Sequence, residues 1–126
     1  MAKIAIHPDG AAALPLPLSP GIRKGNIVQV AGTAAFDPAT GELAGTTVAE
    51  QTALTLRNIE AVLAAAGASI DDVVMFRVYL TDTAHFAELN ETYAELVGEP
   101  FPARTTVYVG LPPGMLVEID ALAVLE

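Results

Sequence analysis

Apolar residues recur along this chain in two different periods, and the switches between them divide it into elements. From Thr47 to Gly67, residues Thr52, Leu56, Ile59, Leu63 and Ala66 recur at the spacing of one helical face. Thr47 and Glu50 stand as a capping box at its start, and Gly67 supplies a C-terminal stop. A second helix is predicted over residues 85–97, capped by Asp82 or Thr83 and ended by Gly98, with Phe86, Leu89, Tyr93 and Val97 as its apolar stripe. Asn90 falls on that stripe. A buried amide needs hydrogen-bond partners, so Asn90 either ties the helix to backbone or lines a pocket.

Elsewhere the period is two. Residues 3–6 read as a short strand ended by His7-Pro8-Asp9-Gly10, and residues 26–35 as a longer one. Gly32 inside the latter suggests a bulge or the close approach of a ligand or second backbone. Asp37-Pro38-Ala39-Thr40-Gly41 is a turn, after which Glu42-Leu43-Ala44 is expected to return as a short strand. Residues 73–80 alternate Val74, Phe76, Val78 and Leu80 against Val73, Met75, Arg77 and Tyr79, with Arg77 read as a solvated or salt-bridged strand residue. The last two runs, residues 103–110 and 115–124, flank Leu111-Pro112-Pro113-Gly114 and are predicted to pair as a hairpin. That pairing would put Thr105, Val107 and Val109 with Val117, Ile119, Ala121 and Ala123, and Arg104, Thr106 and Tyr108 with Glu118 and Asp120. The order β, ββ, α, β, α, ββ predicts an α+β domain, an antiparallel-rich mixed sheet with two helices on one face.

Residues 11–20 carry three prolines (Pro15, Pro17 and Pro20) among Leu14, Leu16 and Leu18, which excludes a helix or central strand and predicts an extended surface segment. Its leucines need cover, and a neighbouring subunit would supply it; a proline-rich ligand for a partner domain is the weaker reading. At 126 residues the chain is expected to be one domain, 1–126, with one core. Hydrophobic residues make up 52%, more than so small a core hides, so an apolar oligomer interface is expected. A net charge of −9 with only six Lys and Arg argues against a nucleic-acid partner. There is no cysteine, which excludes disulfides, a thiol nucleophile and cysteine-based metal sites. His7, Pro8 and Asp9 interrupt any signal-peptide core, and no uncharged apolar run nears the roughly 18 residues that span a bilayer. A cytoplasmic protein without a membrane partner is expected.

Conventional catalytic sets are absent. His7 and His85 stand far apart and read as surface residues, and neither Ser19 nor Ser69 sits in a nucleophile elbow. Arg104 is different, because a guanidinium beside apolar strand residues suits bidentate capture of a carboxylate. Glu118 could hold a water or take its proton. A simple Arg104–Glu118 ion pair stabilising the sheet is the other reading of the same residues.

Pro102-Ala103-Arg104-Thr105-Thr106-Val107, Leu111-Pro112 and Val117-Glu118-Ile119-Asp120-Ala121 resemble the C-terminal signature of the RidA family, also called YjgF. Gly25-Asn26-Ile27-Val28-Gln29-Val30-Ala31-Gly32, Asp37-Pro38-Ala39-Thr40-Gly41-Glu42-Leu43, Tyr79-Leu80-Thr81-Asp82 and Phe86-Ala87-Glu88-Leu89-Asn90 continue the resemblance in order. It implies a chorismate-mutase-like fold closing into a trimeric ring, with sites between subunits. It implies hydrolytic deamination of 2-imino and 2-enamino acids to 2-oxo acids and ammonia, with no metal or organic cofactor. Arg104 matches the arginine that holds the substrate carboxylate, and Glu118 the glutamate that positions water. Gly32, the backbone around Thr106, and Asn90 match further pocket positions.

Two departures stand out. Leu16-Pro17-Leu18-Ser19 occupies the place of the family's Gly-Pro-Tyr-Ser, so Leu18 replaces a tyrosine that contributes to the neighbouring subunit's site. Losing that hydroxyl makes the pocket more apolar and is expected to favour larger hydrophobic imino acids. Thr106 stands where a cysteine is frequent. Two alternatives stay open: a small-molecule-binding or regulatory trimer without turnover, kept alive by Leu18, and the ribonuclease or translation-inhibitor activity attached to parts of the family, which the acidic charge disfavours.

Overall fold

A computed structural model of the chain describes residues 1–11 and 15–126, so Leu14 lies outside the described residues. Six strands form one sheet: β1 (Ile4–Ile6), β2 (Gly21–Lys24), β3 (Ile27–Thr33), β4 (Val73–Leu80), β5 (Ala103–Tyr108) and β6 (Val117–Val124). Their spatial order is β1-β2-β3-β6-β4-β5. Helices α1 (Val48–Ala65) and α2 (Phe86–Val97) pack against one face. The expected α+β class and helix placement hold.

Local chemistry explains the helices. The Thr47 hydroxyl accepts from the Glu50 amide at 3.1 Å while Glu50 Oε1 accepts from the Thr47 amide at 3.2 Å, completing the predicted capping box. Gly67, just past the helix, takes φ +82°, a left-handed turn that glycine adopts without strain. The predicted stripe of Thr52, Leu56, Ile59, Leu63 and Ala66 is buried throughout. It faces Val28, Val30, Phe76, Val78, Leu80, Val117, Ile119, Ala121 and Ala123, which share one side of the sheet. Burying each large apolar side chain of this set contributes about 1.5–3 kcal/mol. Asp82 caps a 3₁₀ turn (Thr83–His85) that leads into α2, so the α-helix proper starts at Phe86. Leu89, Tyr93 and Val97 enter the core, but Phe86 does not; it stays exposed.

The predicted C-terminal hairpin is not formed. β6 inserts between β3 and β4, antiparallel to both, while β5 pairs with the far side of β4 in parallel. The parallel pairing follows from α2, which is the crossover that β4 and β5 need to run the same way. β6 buries one whole face, Val117, Ile119, Ala121 and Ala123, and therefore belongs in the middle of the sheet; β5 has no such face and takes an edge. Alternation reveals which residues share a face of one strand, not which strand lies beside it.

Two smaller expectations also change. Residues 42–44 form only an isolated bridge, Leu43 opposite Phe36. Gly21-Ile22-Arg23-Lys24, not expected as a strand, pairs with both β1 and β3. Where described, the proline-rich stretch forms neither helix nor strand, as expected, but it is bent rather than extended: the Leu18 amide donates to the Leu16 carbonyl at 2.8 Å, and Leu16 and Leu18 are exposed. Among the described residues, no helix is long and apolar enough to cross a membrane.

Candidate active site

The sheet register decides where the candidate residues go. Arg104 lies opposite Phe76, which lies opposite Ala121, so Arg104 is on the helix-covered face. Thr106 and Tyr108 follow it there, opposite Val78 and Leu80. Glu118 lies opposite Tyr79, and Tyr79 opposite Val107, on the open face. The expected convergence of Arg104 with Glu118 therefore fails within one chain, and so does the ion pair between them. Its cause is the missing hairpin: with β4 between them, β5 and β6 no longer share the assumed register.

Arg104 sits where the edge strand β5 runs out from under α2. Its guanidinium donates from Nη2 to Asn90 Oδ1 at 2.6 Å. It lies 4.8 Å from the Tyr93 ring centroid and 5.7 Å from that of Phe86, within the range of cation–π attraction. Phe86, Asn90 and Tyr93 fall at successive turns of one α2 stripe, so a single helical face grips the arginine. Asn90 thus resolves to a side-chain tie that also borders the site. Arg104 remains half-buried, and no carboxylate of the described residues pairs with it. Its remaining N–H donors are open to an incoming anion. Tyr93, 5% exposed, packs edge-on against Phe76 and has no partner for its hydroxyl among the described residues. Burial pushes the Tyr93 pKa up, with the Arg104 charge pulling the other way.

Glu118 belongs to a second group. Between Val30 and Thr33 the β3–β6 register shifts, a bulge that centres on Ala31 and Gly32. A Cβ built at Gly32 would lie 3.0 Å from Glu118 Oε2 and 3.1 Å from its Cδ, so the carboxylate rests directly over the glycine. Both predicted reasons for Gly32, a bulge and a close approach, apply. Burial raises the Glu118 pKa, and the neighbouring Asp120 charge raises it further. Arg77 Nε donates to Asp120 Oδ1 at 2.8 Å, and the Tyr79 hydroxyl donates to Asp120 Oδ2 at 3.0 Å. That salt bridge matches the expectation for Arg77. The Ala31 amide donates to the Pro20 carbonyl at 2.9 Å, which pins the end of the proline-rich stretch beside the bulge; Leu18, two residues earlier, is exposed and is not brought to Glu118 within the chain.

Neither group is enclosed. A depression of about 570 Å³ bordered by Ile4, Arg23 and Ala66, and one of about 320 Å³ bordered by Ile70, Val97 and Pro102, contain neither Arg104 nor Glu118. Among the described residues no cluster of three or more His, Asp or Glu side chains offers a metal site.

Comparison with known proteins supplies the family. The family model described as Endoribonuclease L-PSP matches residues 11–125. A RutC family protein of Pyrococcus abyssi is 44% identical over 127 aligned residues spanning the whole of both chains. The crystal structure of RidA from an Antarctic Psychrobacter species is 40% identical, covers 97% of this chain and 99% of its own, and superposes with a TM-score of 0.90. Escherichia coli TdcF, solved with bound serine, is 33% identical over 98% of this chain and 99% of its own, also at 0.90. The chain belongs to the RidA family.

The RidA fold therefore extends over nearly the whole chain. Reading the sequence as a RidA protein picks out Arg104, Asn90, Thr106, Gly32, Glu118 and Leu18. The structure puts Arg104 and Thr106, with Asn90 of α2, on the helix-covered face and Gly32 and Glu118 on the open face, while Leu18 lies outside the sheet ahead of β2. Tyr93 is core, as its stripe predicts, and also lies under Arg104, whereas Phe86 departs from its predicted core place and stays exposed beside Arg104; their spacing from Asn90 is the signal that puts both around it. A salt bridge at Arg77 is expected from the sequence, but its partner Asp120 and the second bond from Tyr79 needed the register.

Proposed function

We propose that this RidA-family chain is a cofactor-independent hydrolase of 2-imino and 2-enamino acids, working as a homotrimer with sites between subunits. The observation that carries this reading is Arg104, held by Asn90 and two aromatic rings yet unpaired with any carboxylate of the described residues. A fixed guanidinium with free donors is a receptor for a small carboxylate. The serine bound to TdcF carries such a group, which supports the same ligand class here.

The opposite faces of Arg104 and Glu118 support a shared site. One chain offers the carboxylate receptor at its β5 edge and the water-handling carboxylate on its open face. A ring of copies brings the edge of one chain to the open face of the next. Exposed Ile27, Val107 and Val124 on the open face, with Leu16 and Leu18 nearby in sequence to β2, give that contact an apolar component.

In this site Arg104 holds the substrate carboxylate, fixing the imine carbon before Glu118 of the neighbouring chain. Glu118 orients a water and accepts its proton as the water oxygen bonds to that carbon, and the C=N electron pair moves onto nitrogen. Protonation of nitrogen and collapse of the carbinolamine break the C–N bond. Ammonia leaves and a 2-oxo acid remains. A carboxylate with raised proton affinity suits both halves of this transfer, and positioning carries much of the rest.

The test generates imino acids with an amino-acid oxidase and traps them with semicarbazide. Wild type suppresses trapping and Arg104→Ala does not, with bulky hydrophobic imino acids turned over faster than short ones because of Leu18. If wild type suppresses nothing across small and bulky substrates, the chain binds without turnover. Salt-sensitive RNA cleavage in place of deamination would support the endoribonuclease in the family's description.

A further inference from the structure

On the open face, β4 and β6 place two hydrogen-bond donors beside two carboxylates. Tyr79 is directly across from Glu118, and Arg77 directly across from Asp120. Diagonal neighbours in such a pair lie about 7–8 Å apart, within reach of long side chains, so each donor can serve either carboxylate. Both serve Asp120. Arg77 Nε takes Oδ1 at 2.8 Å and the Tyr79 hydroxyl takes Oδ2 at 3.0 Å, although Tyr79 stands opposite Glu118. Asp120 is 8% exposed with both oxygens occupied, whereas the Arg77 side chain is 55% exposed, so Asp120 is the buried anchor of the pair. No side-chain hydrogen bond involves Glu118 among the described residues. The other groups around Glu118 are Gly32 and its strand β3, which has no titratable residue from Ile27 to Thr33.

Resting on the hydrolase reading above, we propose that Asp120 is a positioning residue that holds Arg77 and Tyr79 away from Glu118, leaving the Glu118 carboxylate unpaired and open to water. An Arg77–Glu118 pair would occupy the oxygens that orient water and would lower the proton affinity of the group meant to accept its proton. Asp120 prevents that pair, and its own charge also favours the protonated form of Glu118. A role for Asp120 limited to tying β4 to β6 makes a different forecast. Under it, Arg77 is only the other half of a surface pair, and deleting Arg77 from an Asp120 variant restores nothing.

The experiment measures the Glu118 titration midpoint by ¹³C NMR in the full chain labelled at glutamate Cδ, with the resonance assigned by Glu118→Gln. It measures kcat and KM for imine hydrolysis on the same samples. Asp120→Asn lowers the midpoint by about one unit or more and lowers kcat about tenfold with KM little changed. Arg77→Met alone leaves kcat near wild type. The double variant Asp120→Asn/Arg77→Met recovers most of kcat and part of the midpoint. The proposal is overturned if Asp120→Asn leaves the midpoint unchanged, or if the folded double variant is no better than Asp120→Asn alone. Should Asp120→Asn lose its folded circular dichroism, Asp120→Thr, suited to a strand, carries the same comparison. If wild type hydrolyses no imine, the hydrolase reading falls by itself, and the four midpoints still decide whether Asp120 keeps Arg77 from Glu118.

Discussion

The two halves of the candidate site are built in opposite ways. Around Arg104 everything is held: an amide at 2.6 Å, a ring on either side, and a helix whose stripe runs from exposed Phe86 into the buried core. Around Glu118 the neighbours are occupied with one another, and its carboxylate rests on a bulge that carries no side chain. A group that recognises a fixed charge gains from rigidity, because less side-chain entropy is lost when ligand binds. A group that must exchange a proton with water gains from standing free. The first half is complete inside one chain; the second waits for something to be brought to it.

The strongest way to break this contrast is to remove each half separately and then mix the products. Arg104→Ala is expected to lose about 10³-fold in kcat/KM, and Glu118→Gln about 10²-fold in kcat, measured by the trapping assay. Co-refolding the two inactive proteins in equal amounts should recover about a quarter of wild-type activity, since a random ring puts an intact Arg104 beside an intact Glu118 at about one site in four. No recovery would mean that the halves do not meet between chains.

Gly32→Ala is milder and sharpens the picture of the second half. Its methyl would press on the Glu118 carboxylate at about the 3.0 Å contact and displace it by a few tenths of an ångström. An activity loss of about tenfold in kcat with an unchanged thermal midpoint is expected, because Glu118 is half-exposed and can yield. Loss of KM instead would move Gly32 to the recognition half.

Glu118→Gln should also change stability, with a sign that follows from its raised pKa. The folded chain holds the Glu118 proton more tightly than the unfolded chain does. That contribution is fully present below the ordinary glutamate value and is lost as pH rises through Glu118's own higher value. Above that window the native protein carries a disfavoured charge that the glutamine variant lacks. The variant should therefore melt at a higher temperature than wild type at neutral pH, with the gap closing in acid; a constant gap would mean that Glu118 is not perturbed by its surroundings. The smallest effect expected is Thr47→Ala, which removes a cap from α1 and touches neither Arg104 nor Glu118. It should cost about 1 kcal/mol of stability in denaturant melts and leave kcat untouched.

Helices and faces were legible in the sequence because their causes are local. Thr47, Glu50 and Gly67 marked α1 to within a residue, and its stripe named the core. Strand neighbours were not legible in the same way. Ile22 and Arg23 offered too short a run to stand out beside Pro20 and Gly25, and Pro112-Pro113-Gly114 looked like a hairpin turn although it leads the chain across β4 to the middle of the sheet. That one misplacement carried Arg104 to the wrong face. Arg104, Glu118, Gly32 and Asn90 stood out by their own chemistry and position, family likeness added Thr106 and Leu18, and their division into two sets required the register.

The central place of β6 has a further bearing on how the molecule is made. β6 is synthesised after the other five strands of the sheet, and it lies between β3 and β4, which were made well before it. Until it arrives, α1 has no complete surface to settle on, and the facing edges of β3 and β4 are open to any passing strand. Folding thus waits for β6, with most of its defining contacts far apart in sequence. A frameshift or stop just before Val117 would not trim an edge from this protein; it would take out the strand on which the rest closes.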